Sequence, residues 1–240
     1  METNPDQTLQ AEINSIAEFT PSIKEFVKEL SVNKTGREIA RLHKLISHLA
    51  KHLQNSKEIS DIEYLRSDEG KKIIEQILEI GTKEEQPEKL LLLSIYLTNF
   101  CDKQFIADKN KQEVLQALAQ ITPAQAEMLR DVTEWLVLAS GRDIVKQSTD
   151  HKSENIDQPY EGYIMESLIA ILIRTTIENT TPHIDALLKM NVFVIANNGE
   201  PIQHFGQSGR GYKPSKLGLQ LLEYLGLPLT KMPEKKDFRK

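Results

Sequence analysis

Histidines, a lone cysteine, clustered carboxylates and a glycine-rich loop are the parts of this sequence from which chemistry could be built. His48 and His52 stand four residues apart, a spacing that puts two imidazoles on one helix face and suits zinc or nickel. A metal needs a third ligand, and His43 lies five residues before His48, where it points elsewhere. The pair therefore reads as solvated histidines on a basic face, with no metal expected. Cys101 is the single cysteine, which excludes a disulfide framework and a multi-cysteine zinc site. Near the end of an apolar run it reads as a small core side chain. Glu84, Glu85 and Glu88 flank Pro87. A catalytic carboxylate pair needs a cleft and separated pKa values, and these three read as a solvated connection. Gly206-x-x-Gly209-x-Gly211 leads into Tyr212-Lys213-Pro214 instead of following a strand in a βαβ unit, so it fails the context of a phosphate loop. No Gly-x-Ser-x-Gly, Walker or kinase pattern is present. No catalytic residue and no cofactor are expected, and the chain reads as non-enzymatic.

The elements that must carry these residues are mostly helical. Only Gly36, Gly70 and Gly81 fall in the first 140 of the 240 residues, and glycine disfavours helix interiors by about 1 kcal/mol. Amphipathic helices are predicted from Thr20-Pro21 through Leu30, over Arg37–Leu53, from the cap Ser67 to Gly81, from Pro87 to Cys101, over Lys111–Ile121, and after the cap Thr122-Pro123. The polar stretch from Lys146 to Pro159 reads as an exposed loop. Gly162–Ile177 is a very apolar predicted helix, expected to be either the centre of its domain or part of a homodimer interface. Thr180-Thr181-Pro182 is expected to cap a helix through Met190. Val192–Ala196 reads as a strand ended by the turn Asn198-Gly199. Gln203–Gly211 reads as a flexible loop, Tyr212-Lys213-Pro214 as a returning edge strand, and Ser215 as the cap of a last helix closed by Gly226.

The fold class is therefore mostly α: a helical bundle over residues 1–121, a winged-helix-like domain with a short β-hairpin over 122–227, and a basic tail over 228–240. The alternative is a plain helical domain with a terminal hairpin. Thr181–Met190 would stand where a recognition helix stands, and 197–211 would be the wing. No run reaches 18 apolar residues, so no membrane span is expected. The acidic N-terminus lacks the apolar core of a secretory signal, which makes a soluble cytoplasmic protein the expectation.

Short motifs resemble a known family. Leu118, then Thr122-Pro123-Ala124-Gln125-Ala126 and Leu129, and later Leu187-Leu188-Lys189-Met190-Asn191-Val192 with Tyr212-Lys213-Pro214-Ser215-Lys216-Leu217-Gly218, resemble bacterial proteins of the abortive-infection alpha type. That family tends to have Tyr-x-Leu-Thr-x-Leu-Gly where this chain departs at Pro214 and Ser215. The resemblance covers about Glu113–Leu225. It implies a closing winged-helix-like stretch and a phage-defence or mobile-element context, and it carries over no catalytic residues.

Charge is segregated. The net charge is −5, yet residues 33–57 hold six bases (Lys34, Arg37, Arg41, Lys44, Lys51, Lys57) against Glu38 alone, while residues 58–91 hold ten acids and five bases. Within the predicted helix Arg37–Leu53, Ile39, Leu42, Ile46, Leu49 and Leu53 form an inward seam. Arg37, Arg41, Lys44, His48 and Lys51 repeat at 4, 3, 4, 3 on nearly the opposite face. Like charges four apart on a helix are mildly destabilising, so an unmixed stripe points to an anionic partner. That partner is a nucleic-acid backbone, another protein's acidic surface, or this chain's own acidic helices. Arg210, Lys213, Lys216 and the tail form a second basic region. With Phe205 and Tyr212 for stacking, and with His183 and Lys189 on the recognition helix, it is the candidate for nucleic-acid backbone contact. The leading expectation is a macromolecule-binding adaptor or regulator, through protein interaction with accessory nucleic-acid binding. A winged-helix DNA-binding transcriptional regulator is the alternative, and an enzyme of unknown class is a distant third.

Overall fold

Helix starts are set locally, and the computed structural model shows how. It describes residues 5–17, 23–32, 34–55, 62–102, 105, 109–140, 163–196, 202–204 and 207–226. The expected loop at 146–159, the tail at 228–240, the Thr20-Pro21 cap and Phe205 lie outside these residues. The chain divides into two compact units, Met1–Ala119 and Gln120–Lys240. Among the described residues no helix is long and apolar enough to cross a membrane.

The first unit holds α1 (Pro5–Ala17), α2 (Ile23–Ser31), α3 (Gly36–Asn55), α4 (Ile62–Arg66), α5 (Asp68–Lys83), α6 (Pro87–Asn99) and α7, which starts at Lys111 and runs to Gln120. Ser67 caps α5, its hydroxyl accepting the Gly70 N–H at 3.1 Å. Pro87 stands in the first turn of α6, where its missing N–H costs nothing. The centre of the unit is α3, packed against α1, α5 and α6. Its seam of Leu42, Leu45, Ile46, Leu49 and Leu53 is buried. Gly81 does not end α5, which continues to Lys83. Instead, a Cβ at Gly81 would lie 2.1 Å from Leu45 Cδ1, so this glycine makes room for the α3 side chain.

The second unit is built from α8 (Pro123–Ser140), β1 (Ile164–Met165), α9 (Glu166–Leu172), α10 (Ile177–Lys189), β2 (Phe193–Ile195), β3 (Ile202–His204), β4 (Gln207–Gly209), β5 (Gly211–Pro214) and α11 (Lys216–Tyr224). A capping box opens α8: the Thr122 hydroxyl accepts the Gln125 N–H at 3.2 Å, and Gln125 Oε1 accepts the Thr122 N–H at 2.8 Å. Strands β1, β5 and β2 form an antiparallel sheet in that order, with Ile164 opposite Tyr212 and Val194 opposite Lys213. Ser215 caps α11, accepting the Gly218 N–H at 3.0 Å.

Four expectations fail here. The apolar run from Gly162 to Ile177 is not one helix: Ile164 and Met165 pair with β5, and the helix spans only Glu166–Leu172. Thr180-Thr181-Pro182 does not cap α10. The helix starts earlier, with Thr176 as its cap. The Thr180 and Thr181 hydroxyls bond back to the Thr176 and Ile177 carbonyls at 2.8 and 2.9 Å, and Pro182 lies inside the helix, where it has no N–H to donate to the Glu178 carbonyl. The expected flexible loop over 203–211 holds a two-stranded ribbon, β3 with β4. Strand β5 is central, not an edge. Its pairing with β1 stops at Tyr212, so Pro214 leaves no gap on that side.

Three helix ends in this unit share a left-handed residue: Arg174 after α9 (φ 56°), Asn191 after α10 (φ 55°) and Gly226 after α11 (φ 58°). The Arg174 N–H donates to the Ile171 carbonyl and the Thr175 N–H to the Ala170 carbonyl, which is the Schellman pattern. Glycine and asparagine suit that conformation; arginine does not.

Candidate functional site

The basic face of α3 follows from the burial of the opposite face. With Leu42, Leu45, Leu49 and Leu53 inward, Arg37, Lys44 and Lys51 stand exposed at seven-residue intervals, while Arg41 and His48 are half-buried between them. Among the described residues neither Arg37, Lys44 nor Lys51 has an ion-pair partner. Arg41 does: its guanidinium donates to the Thr82 carbonyl at 3.1 Å and lies 3.8 Å from the exposed Glu85 carboxylate. One member of the stripe is thus held by the C-terminal end of α5, and the intramolecular option applies to Arg41. Burial, then the charges of Lys44 and Lys51, hold the His48 imidazole below its ordinary pKa. The flanks of the ridge are fixed. On one, Ser47 donates to Glu12 at 2.6 Å and Gln54 to Ser15 at 3.0 Å, which seats α1 alongside. On the other, Glu38 accepts the Thr35 N–H and hydroxyl, both at 2.8 Å, and pairs with Lys34 at 3.4 Å. Those hydrogen bonds keep the Glu38 carboxyl below the usual carboxylate range.

His52 does not join His48. Its Nε2 lies 2.9 Å from Asp102 Oδ1, and Asp102 is only 8% exposed. Among the described residues no three His, Cys, Asp or Glu side chains gather as a metal would require. Nothing local in the sequence links residues fifty apart, so the His52–Asp102 pair had no signal to find it by. The neighbouring Cys101 is fully buried, and its thiol donates to the Leu97 carbonyl at 3.0 Å. Burial, then Asp102, pushes that thiol well above its ordinary pKa, which keeps it protonated and unreactive.

Two further cations are buried without any sequence warning. Lys89, 2% exposed, donates to the Leu118 carbonyl near the end of α7, and burial lowers its pKa to about 8. Lys111 places its Nζ 3.6 Å from the centre of the Tyr64 ring, and its carbonyl accepts the Tyr96 hydroxyl at 2.8 Å. These lysines hold the ends of α6 and α7 in the first unit.

In the second unit the expected nucleic-acid residues are dispersed by their surroundings. Arg210 and Lys216 are exposed, as is Lys189 in the last turn of α10, and His183 and Lys213 are half-buried. Burial holds the Lys213 ammonium below its ordinary pKa. Tyr212 is a correction: at 5% exposure it packs inside the sheet and cannot stack on a base. Burial, then Glu166, raises its hydroxyl pKa, with Arg210 opposing and Asp185 adding to the rise. The surroundings of Tyr212 therefore mix Glu166 and Asp185 with Arg210, and one of those acids lies on the helix expected to face nucleic acid. Compared with known proteins, the chain matches no family model, no curated protein and no solved structure.

Proposed function

We propose that this chain is a non-enzymatic adaptor or regulator that docks a macromolecule through the exposed ridge of α3. The observation that carries this reading is the set Arg37, Lys44 and Lys51: three exposed cations on one face, without ion-pair partners among the described residues. A solvated helix face ordinarily mixes signs, and this one presents cations alone, a field that an anionic partner would complement. We take the second unit as a winged-helix-like module. Supporting this are its order α8, β1, α9, α10, β2, ribbon, β5 and its sheet order β1-β5-β2. The acids Glu166 and Asp185, which act on Tyr212 along with Arg210, favour protein docking there, with nucleic-acid backbone contact from Arg210, Lys213 and Lys216 as an accessory role. The bacterial defence or mobile-element setting implied by the family resemblance is part of this proposal. The test is retrieval of partners from the native cell with nuclease treatment in parallel. A protein partner retained after nuclease supports the adaptor reading, and loss of every partner with nuclease favours the DNA-binding regulator.

Self-association is a second reading, favoured by Ile171 at 71% and Ile177 at 49% exposure around the α9–α10 turn. Light scattering across a concentration series tests it, and a monomer at every concentration removes it.

A further inference from the structure

We infer that the α3 ridge fits an acidic α-helix of a protein partner, with carboxylates at seven-residue intervals, and not a nucleic-acid backbone. This rests on the proposal that α3 is the docking face. Arg37, Lys44 and Lys51 recur every seven residues, which on a helix is about 10.5 Å per step and about 20° of drift. A second helix has the same rise and the same drift. Acids seven apart on it meet all three cations in register over a span of about 21 Å. A duplex does not match: each strand carries a charge about every 3.4 Å along the axis, roughly three times the density of the ridge. The surplus phosphates would meet carboxylates. Glu85 stands 86% exposed beside Arg41 in the N-terminal half of the ridge, and Glu38 lies on its flank, kept ionised by Thr35. With α1 seated along one side through Ser47 and Gln54, and with Arg41 fixed to the end of α5 on the other, the ground left open among the described residues of this unit is a ridge along α3, which suits a rod-like partner.

The experiment uses the full chain and three labelled probes in fluorescence anisotropy. The first is a helix-forming peptide with glutamates at positions 1, 8 and 15. The second is the same composition with those glutamates shuffled off the seven-residue interval, and the third is a 20-base-pair DNA duplex. The expected result is at least tenfold tighter binding of the first peptide than of either other probe. That preference should be lost in R37E/K44E/K51E, whose helical circular dichroism and melting temperature confirm folding. Log affinity should fall with log salt in proportion to about three ion contacts. Equal binding of the shuffled peptide, or tighter binding of the duplex, overturns the inference while leaving α3 as a docking face. No α3-dependent binding of any probe overturns both this inference and the reading it rests on.

Discussion

Two basic regions of this chain look alike as composition and differ as surfaces. On α3 the cations Arg37, Lys44 and Lys51 project from a helix whose other face is committed to the core, and Lys44 and Lys51 add to the burial that depresses the basicity of His48. Around β5 the positive residues alternate with the fold's own needs. Tyr212 is packed inside with its hydroxyl under the influence of Glu166 and Asp185 as well as Arg210, and Lys213 is half-buried with a depressed ammonium pKa. A count of charges does not measure the charge a surface presents. Presentation depends on what the backbone geometry leaves exposed, and a solvent-facing helix stripe leaves more than a central strand flanked by acids.

The largest expected effect sharpens this contrast through the two glycines that position each region. A Cβ at Gly218 would lie 2.4 Å from the Val192 carbonyl oxygen, a backbone atom, whereas one at Gly81 would meet the Leu45 side chain. Backbone cannot give way as a side chain can. Gly218→Ala should destabilise the second unit by about 3 kcal/mol, and Gly81→Ala the first by about 1 kcal/mol, because helix propensity offsets part of the overpacking. Denaturant unfolding of each variant checks the order, and equal losses would show that α11 can shift away from β2.

Next comes the buried ammonium of Lys89. Its folded pKa of about 8 lies below its ordinary value of 10.5. Between those values the unfolded chain binds the extra proton, so this group makes the protein more stable as pH rises from 8 toward 10.5 and withholds that stability below pH 8. Lys89→Met should flatten this rise in a chemical-denaturation series from pH 7.5 to 10. An unchanged slope would mean that the lysine is solvated in the folded state.

A smaller effect is expected at Arg174, whose left-handed conformation strains a non-glycine residue by about 1 kcal/mol. Arg174→Gly should raise the melting temperature by a few degrees, whereas Asn191→Gly should change it less. The smallest concerns His48. Its pKa is lowered by burial, Lys44 and Lys51, so its contribution to stability is present above the ordinary value of 6.5 and is lost as pH falls through the lower folded value. An anion seated on Lys44 and Lys51 should raise that pKa and bind more tightly at pH 5.5 than at pH 7.5. NMR titration of the imidazole, with and without the acidic peptide, reads this directly, and Lys44→Gln should mimic part of the shift.

Features set within one turn of chain were legible in the sequence. The caps at Ser67, Thr122 and Ser215 each depend on a hydroxyl reaching an N–H three residues ahead. The ridge of α3 was legible because helical geometry alone separates Arg37, Lys44 and Lys51 from Leu42, Leu49 and Leu53. Features set by distant partners were not. Ile164 and Met165 sit in a run that reads as helix and become strand because Tyr212 and Gly211 lie beside them. Among the described side chains of α1, Ile13 and Ile16 are the deeply buried anchors, and the place of the helix depends on α3. The attachment of Arg41 to Thr82, the pairing of His52 with Asp102 and the burial of Tyr212 are all tertiary, so they changed the candidate sites after the elements were in place.

The most direct test of the central claim reverses the charge of each basic region and compares partner binding. In R37E/K44E/K51E, Arg41 is left intact because it holds α5, and both this variant and R210E/K213E/K216E should keep the wild-type circular dichroism spectrum. Binding of the nuclease-resistant partner should fall at least a hundredfold in the first variant and less than threefold in the second. Equal binding by the first variant and wild type, or a loss confined to the second, would contradict the claim that the exposed cations of α3 form the docking face.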